Sequence, residues 1–334
     1  MNQNKELVSI IMSVYNGADF IEETINSILK QNYSEFELII VDDCSTDDTW
    51  NILNAFTDKR IIILRNEKNM HLAFSLNRAI KASQGKYVAR MDGDDICEPD
   101  RFVKQVEYLR SHPDIAVLGG YAQQFGSSTV LMKFPIEHEE IKVELLFTNP
   151  MSHPAVMFRS TLIDSWYDSR IIAAQDYELW SRLIWKVQFH NLPTTLIKYR
   201  IHDKQTRNLL GVSQKQGAFI AHKNMLDMIG NYTDADAALL TDAGNRNLGK
   251  SVDALKSIAS LYKKIYADAE KKGDLFQLDI LKKRIDKQEG VLIYASLIYK
   301  TISWSEVSQT GMAKKFYRRP ELVLKALWHK IKEH

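Results

Sequence analysis

What most constrains this chain is an alternation of short apolar runs with helix-length segments through its first third. Residues 7–14 form a nearly continuous apolar run without polar alternation, the composition of a central parallel strand. Tyr15-Asn16-Gly17 closes it with a turn signal. From about Asp19 the pairs Phe20/Ile21, Thr24/Ile25 and Ile28/Leu29 recur at helical spacing, with Glu22 placed as a capping-box partner. Strand-like runs return at 36–41, 60–64 and 87–91, separated by helical stretches at 49–56 and 72–83, and Gly85 stops the last of these. The order predicts an α/β doubly wound, mostly parallel sheet.

In such a sheet the ligand lies off the carboxyl ends of the strands. Polar side chains gather at those ends here: Tyr15 and Asn16, Asp42 and Asp43, Arg65, then Asp92, Asp94 and Asp95. Turns favour Asp at any single position, but a purely structural sheet has no reason to put carboxylates after two strands on one edge. The densest group is Asp92-Gly93-Asp94-Asp95, where Gly93 is expected to supply the freedom to turn. Three carboxylates in four residues suit a hard divalent cation; the alternative is a solvated acidic turn, with Asp95 or Asp100 capping the next helix. The first strand leads into Ser13-Val14-Tyr15-Asn16-Gly17 rather than a Gly-x-Gly-x-x-Gly turn, and no phosphate-loop lysine motif follows. Backbone amides alone would therefore not hold a nucleotide, whereas a cation on the acidic group would hold a diphosphate.

Composition excludes several classes. A chain of 334 residues has room for one large domain and a smaller one. A formal charge of +2 with 26% charged residues gives no sign of a nucleic-acid partner. Cys44 and Cys97 are the only cysteines and make neither a disulfide framework nor a Cys-x-x-Cys pair, which fits a reducing cytoplasm. The N-terminus has no apolar signal core, and no window reaches the ~18 apolar residues a membrane span needs.

Further along, His153 lies between Pro150 and Pro154, which stiffen its backbone; a satisfied structural histidine and an acceptor contact are both open. Asp176 sits where a helix begins, followed by the stripe Tyr177, Trp180, Leu183 and Ile184. An acid there is most often a cap. Tyr199-Arg200-Ile201-His202 ends another strand-like run, and a lone histidine after a strand is usually structural. We expect a catalytic domain over 1–210 and a helical C-terminal region over 211–334. At its end Pro320 opens a helix with Leu324, Leu327, Trp328 and Ile331 on one face, near Lys314, Lys315, Arg318, Arg319, Lys325, Lys330 and Lys332. Contact of 314–332 with an anionic membrane surface and packing on its own domain or a partner subunit are both open.

Ser9 to Gly17, Val41 to Asp47 and Asp92 to Asp95 together resemble the family-2 nucleotide-sugar glycosyltransferases of GT-A fold, over roughly residues 7–205. The resemblance implies that Ser13, Tyr15 and Asp43 contact base and ribose, with Asn16 and Arg65 on the same nucleotide side. It implies that Asp92 approaches the ribose and that Asp94 binds Mn2+ or Mg2+ on the diphosphate, with His202 near the metal. Asp176 matches the family's general base, although Gln175 stands where a Glu is usual. Asp95, His153 and Arg200 fall on the acceptor or diphosphate side. Met70-His71 stands where the family usually has Gly, and Leu76 where it has Arg.

The activity implied is metal-dependent, inverting transfer from a nucleotide-diphosphate sugar, a uridine one by preference, to a saccharide or lipid-linked saccharide. Bacterial surface polysaccharide synthesis, in the cytoplasm or on the membrane's inner face, is the expected setting. A sugar-1-phosphate nucleotidyltransferase would show Gly-rich, Arg-containing loops after the first strand, and Ser13 to Gly17 lacks them. A non-catalytic nucleotide-sugar binder would not need Asp43, Asp94 and Asp176 together.

Overall fold

The computed structural model describes residues 6–202, 211–244, 251–299 and 301–332, with the side chains of 329–332 outside the description. Residues 203–205, the end of the run read above as closing the catalytic domain, lie outside the described residues. The chain divides into two compact units, Met1–Ile141 with Pro150–Gly217, and Lys142–Asn149 with Ala218–His334. The segment 142–149 thus belongs with the C-terminal helices.

In the first unit, β1 (Val8–Val14), β2 (Phe36–Asp42), β3 (Ile61–Arg65) and β4 (Tyr87–Asp92) alternate with α1 (Ile21–Leu29), α2 (Thr49–Asn54) and α3 (His71–Ala82). These four strands pair in parallel, in the order β3-β2-β1-β4. Their side chains are buried on both faces in β1 and β2, which is why the sequence runs apolar without alternation. The sheet continues as β8 (Met157–Arg159), β6 (Ile115–Gly126), β9 (Gln188–Ile201) and β5 (Ile96–Cys97), with β7 (Leu131–Met132) on β6. Here β4, β6 and β8 pair antiparallel while β6 and β9 run parallel. Beyond β4 the sheet is therefore mixed: β8 runs antiparallel to both of its neighbours, β4 and β6.

Helix α1 buries Ile21, Thr24, Ile25 and Ile28, the stripe its spacing predicts. Its start differs from expectation. Phe20 is the N-cap with no side-chain cap bond, and the Phe20 and Ile21 N–H groups donate instead to Gly17 O, at 3.0 Å each. A Cβ on Gly17 would stand 2.5 Å from Val14 Cγ2, so only glycine allows this tight exit from β1. Helices α4 (Arg101–Ser111), α5 (His138–Glu144) and α6 (Gln175–Leu183) complete this part of the chain. Asp100 precedes α4 but makes no side-chain cap bond; its carboxylate accepts from Asn32.

The C-terminal region is helical: α7 (Gly211–Ile229), α8 (Asp234–Gly244), α9 (Val252–Lys272), α10 (Leu278–Ile298), α11 (Ala313–Tyr317) and α12 (Pro320–Lys332). Its core takes Leu255, Ile258, Tyr262 and Ile265 from α9 and Leu281, Leu292 and Ile293 from α10. Glu144 and Arg284 pair through two bonds, with the guanidinium 4.1 Å over the Phe147 ring, and so fix 142–149 to α10. None of the described helices is long and apolar enough to cross a membrane.

Candidate active site

Strand register builds the first half of the site. Ser13 pairs with Asp92, Val14 with Asp42, and Asp42 with Arg65, so the last residues of four strands form one rim. The loops beyond are tied to each other. Asn16 N–H donates to Ser45 Oγ at 2.9 Å and Asn16 Oδ1 accepts from Thr46 N–H at 2.8 Å. Asp43 is buried, and its Oδ1 accepts from Asn66 Nδ2 at 2.6 Å and Met70 N–H at 2.8 Å. Arg65 lies 3.1 Å from Asp42 and 4.6 Å from the Trp50 ring centre, with its side chain 40% exposed. Tyr15 is 48% exposed at the mouth of this rim.

Four non-glycine residues among those described have positive φ: Asn16 (52°), Cys44 (65°), His71 (66°) and Ala174 (55°). Two follow β1 and β2, one opens α3, and one immediately precedes the helix of Asp176. Left-handed backbone in residues with a Cβ costs energy and collects where a site must be held in one shape. At His71 the backbone takes a conformation that glycine adopts without strain. A His71→Gly substitution is expected to leave the fold unchanged and alter stability by no more than about 1 kcal/mol, upward if relief of strain exceeds the added chain entropy. Thermal unfolding measures it.

The second half of the site is the acidic loop after β4. Ligand oxygens of Asp92, Asp94 and Asp95 lie within 4.8 Å of one another. Gly93 is not among the glycines with positive φ, and a Cβ on it would meet Ile21 and Val14 at 3.4 Å, ordinary contact. The turn therefore needs no glycine freedom; Thr24 Oγ1 holds it by donating to Gly93 O (3.1 Å) and Asp95 O (2.8 Å). The carboxylates face three ways. Asp92 takes both ends of the Arg90 guanidinium. Asp94 Oδ2 is 3.0 Å from His202 Nε2, both side chains partly exposed. Asp95 is fully buried: Oδ1 accepts the Arg200 N–H at 2.8 Å, and Oδ2 has no hydrogen-bond partner. Asp95 is thus not the cap of the following helix, whose N-cap position is Asp100.

Arg200 ties the acidic loop to its surroundings. Its Nε donates to Asp94 O at 2.7 Å, its Nη2 meets Glu23 Oε2, and its guanidinium lies 4.6 Å and 4.5 Å from the Phe20 and Phe125 ring centres. A cation so enclosed braces the acidic loop. His202 lies beside the same Phe20 ring, at 4.8 Å between centroids.

Burial raises Asp92 above the ordinary carboxylate range against the pull of Arg90, with the charges of Asp94 and Asp176 adding to the rise. Asp95 is pushed well above that range, first by burial and then by Asp92 and Asp94. A carboxyl raised in the folded state contributes stability that is complete below its unfolded pKa, about 4, and is lost as pH rises through the folded value. The metal-free chain is expected to lose thermal stability over that window, and Asp95→Asn is expected to flatten the loss. A pH series of melting temperatures on both proteins tests this.

Asp176 lies in the first turn of α6 and within electrostatic range of Arg90, Asp92 and Tyr167. Burial opposes the Arg90 charge, but Asp92, Tyr167 and Asp176 overcome it and hold the guanidinium above its ordinary range. His153, open between two readings in the sequence, is 7% exposed, 2.7 Å from Tyr167 Oη and edge-on to Trp180. Burial, then Arg90, depresses its pKa well below normal, so the ring is neutral. Asn77 fixes this wall by donating to Tyr167 O at 2.7 Å and accepting the Tyr167 N–H at 3.2 Å.

Arg90 and Tyr167 were missed by sequence reasoning. Arg90 carried a signal: a guanidinium inside an otherwise apolar strand must find a carboxylate. Tyr167 carried none, since only the fold brings residue 167 to His153.

The donor set fits a hard cation. The Asp95 oxygen without a partner and the Asp94–His202 pair supply carboxylate oxygens and an imidazole at one edge of the rim.

Residues 9–164 match the family described as "Glycosyl transferase family 2". An uncharacterized glycosyltransferase of Haemophilus influenzae is 33% identical over 65% of this chain and 72% of its own length. The Escherichia coli protein WfaP, named as a UDP-Glc:alpha-D-GlcNAc-diphosphoundecaprenol beta-1,3-glucosyltransferase, is 30% identical over 59% of this chain and 78% of its length. Among solved structures, Staphylococcus aureus TarS 1-349 with UDP-GlcNAc superposes with a TM-score of 0.58 at 18% identity, over 93% of this chain and 91% of that one. The Pyrobaculum calidifontis mannosyltransferase PcManGT with GDP-Man and Mn2+ gives 0.55 at 16%, over 97% and 87%. These two share the fold, a GT-A type sheet with C-terminal helices.

Proposed function

The chain belongs to glycosyl transferase family 2 and is a glycosyltransferase, and from that premise we propose that it moves a hexosyl or N-acetylhexosaminyl group from a UDP-sugar to a hydroxyl of a saccharide or lipid-linked saccharide. Relatives with names in bacterial polysaccharide synthesis support the setting. A lipid-linked acceptor would place the enzyme peripherally on the membrane's inner face. The observation that carries the proposal is the single rim joining Ser13, Asp42, Arg65 and Asp92, with Asp176 in electrostatic reach of its Asp92 end.

Tyr15 offers its exposed ring to the base, Ser13 and Asp43 line the nucleoside side, and Asn16 and Arg65 shape the loops that enclose it. Asp92, held by Arg90, faces the ribose. Asp94 and His202, with Asp95 behind them, would hold Mn2+ or Mg2+; when bound, the ion neutralises charge on the leaving diphosphate. Asp176 takes the proton of the acceptor hydroxyl as that oxygen bonds to the anomeric carbon and the carbon–diphosphate bond breaks on the opposite face. One displacement of this kind inverts the anomeric centre. His153, Tyr167 and Trp180 pack against one another, with Tyr167 in electrostatic range of Asp176.

A screen of nucleotide sugars by thermal shift, with manganese and with chelator, tests the reading. A ligand that binds only the folded chain raises its stability by RT ln(1 + [L]/Kd). A UDP-sugar is expected to raise the midpoint with manganese present, and product analysis then gives the anomer. A chain that melts identically with every sugar nucleotide would overturn the proposal.

A further inference from the structure

Helix α12 carries an exposed apolar strip. Leu324, Leu327 and Trp328 are 64%, 39% and 54% exposed, while Ala326 between them is buried. Positions i, i+3 and i+4 lie along one side of a helix, so the strip is continuous. Tyr317, at the end of α11, exposes another large ring nearby in sequence. The short helix before it is anchored: Phe316 and Met312 are buried, and Lys315 is committed to Asp286 and Glu289 at 3.0 Å and 2.5 Å.

The exposed charges over the same stretch are mostly basic: Lys314, Arg318 and Lys325 are exposed, beside one exposed carboxylate, Glu321, 3.6 Å from Arg319. We propose that this face of α11 and α12 docks on an anionic lipid surface, with Leu324, Leu327 and Trp328 in the acyl boundary and the three cations at the headgroups. A Trp-bearing amphipathic helix with a basic flank is built to lie in that plane. A second copy of the chain fits the face poorly. It would set the same cations against one another, and so few apolar side chains fall short of the ~800 Å² each partner gives to a stable interface. The inference deepens the reading of a lipid-linked acceptor by naming the surface that would bring the enzyme to it.

The test uses the full chain without donor or acceptor, sedimented with vesicles of phosphatidylcholine alone or with phosphatidylglycerol added. Binding is expected only with phosphatidylglycerol, with a blue shift of tryptophan emission and weakening as salt is raised. A Leu324→Ser/Trp328→Ser variant and a Lys314→Glu/Lys325→Glu variant are each expected to lose at least about tenfold in vesicle affinity. Both change exposed residues, so circular dichroism and melting should match the parent. No sedimentation with phosphatidylglycerol, equal sedimentation with both lipids, or unchanged binding by both variants overturns the proposal. So does a lipid-independent dimer that Leu324→Ser/Trp328→Ser disrupts. Transfer to a soluble acceptor is measured separately, so failed docking and a failed transferase reading give different results.

Discussion

Asp176→Asn is expected to lower kcat by on the order of 100- to 10,000-fold while leaving donor affinity nearly unchanged. The amide keeps the size of the side chain but cannot accept the proton that the acceptor hydroxyl must shed. Asp176 lies in the first turn of a helix whose buried face, Tyr177, Leu179, Trp180 and Leu183, is untouched by the change, so the fold should hold. The substitution also removes one negative charge facing Arg90 and Asp92. A small rise in melting temperature is therefore consistent with the assignment, whereas a full rate is not. Turnover of the donor at saturating acceptor, beside calorimetric donor affinity, makes the distinction.

The second large effect is expected at Asp94. Asp94→Ala removes the partly exposed carboxylate that faces His202 at 3.0 Å and leaves Asp95 buried behind it. Manganese affinity should fall at least about 100-fold, since even residues that only support a ligand contribute 10- to 100-fold. Transfer should fall with it at any fixed manganese concentration. Calorimetric titration with manganese in the absence of sugar nucleotide reads the binding directly. Unchanged affinity would move the cation off Asp94.

Both predictions concern residues that the sequence singled out, but for unequal reasons. The loop after β4 was legible because three carboxylates in four residues have few explanations. Asp176 was legible only by likeness to a family, since an acid at a helix start is ordinarily a cap. Its neighbours Arg90, Asp92 and Tyr167 come from segments remote in the chain, and no local pattern encodes that meeting. At Arg200 the structure adds what no local pattern announces: bonds to Asp94 O and Glu23, with the guanidinium between two aromatic rings.

The alternating elements of residues 7–92, and the carboxyl-terminal rim that collects polar side chains, are written in local pattern. Buried parallel strands and amphipathic helices leave periodicities, and period is a property of neighbours in the chain. Which carboxylate is buried, which faces an imidazole and which is held by Arg90 follow from folding alone. So do the mixed sheet beyond β4 and the outward-facing strip on α12. Those outcomes depend on contacts between residues far apart in sequence, and burial, which sets both charge state and exposure, exists only once they have formed.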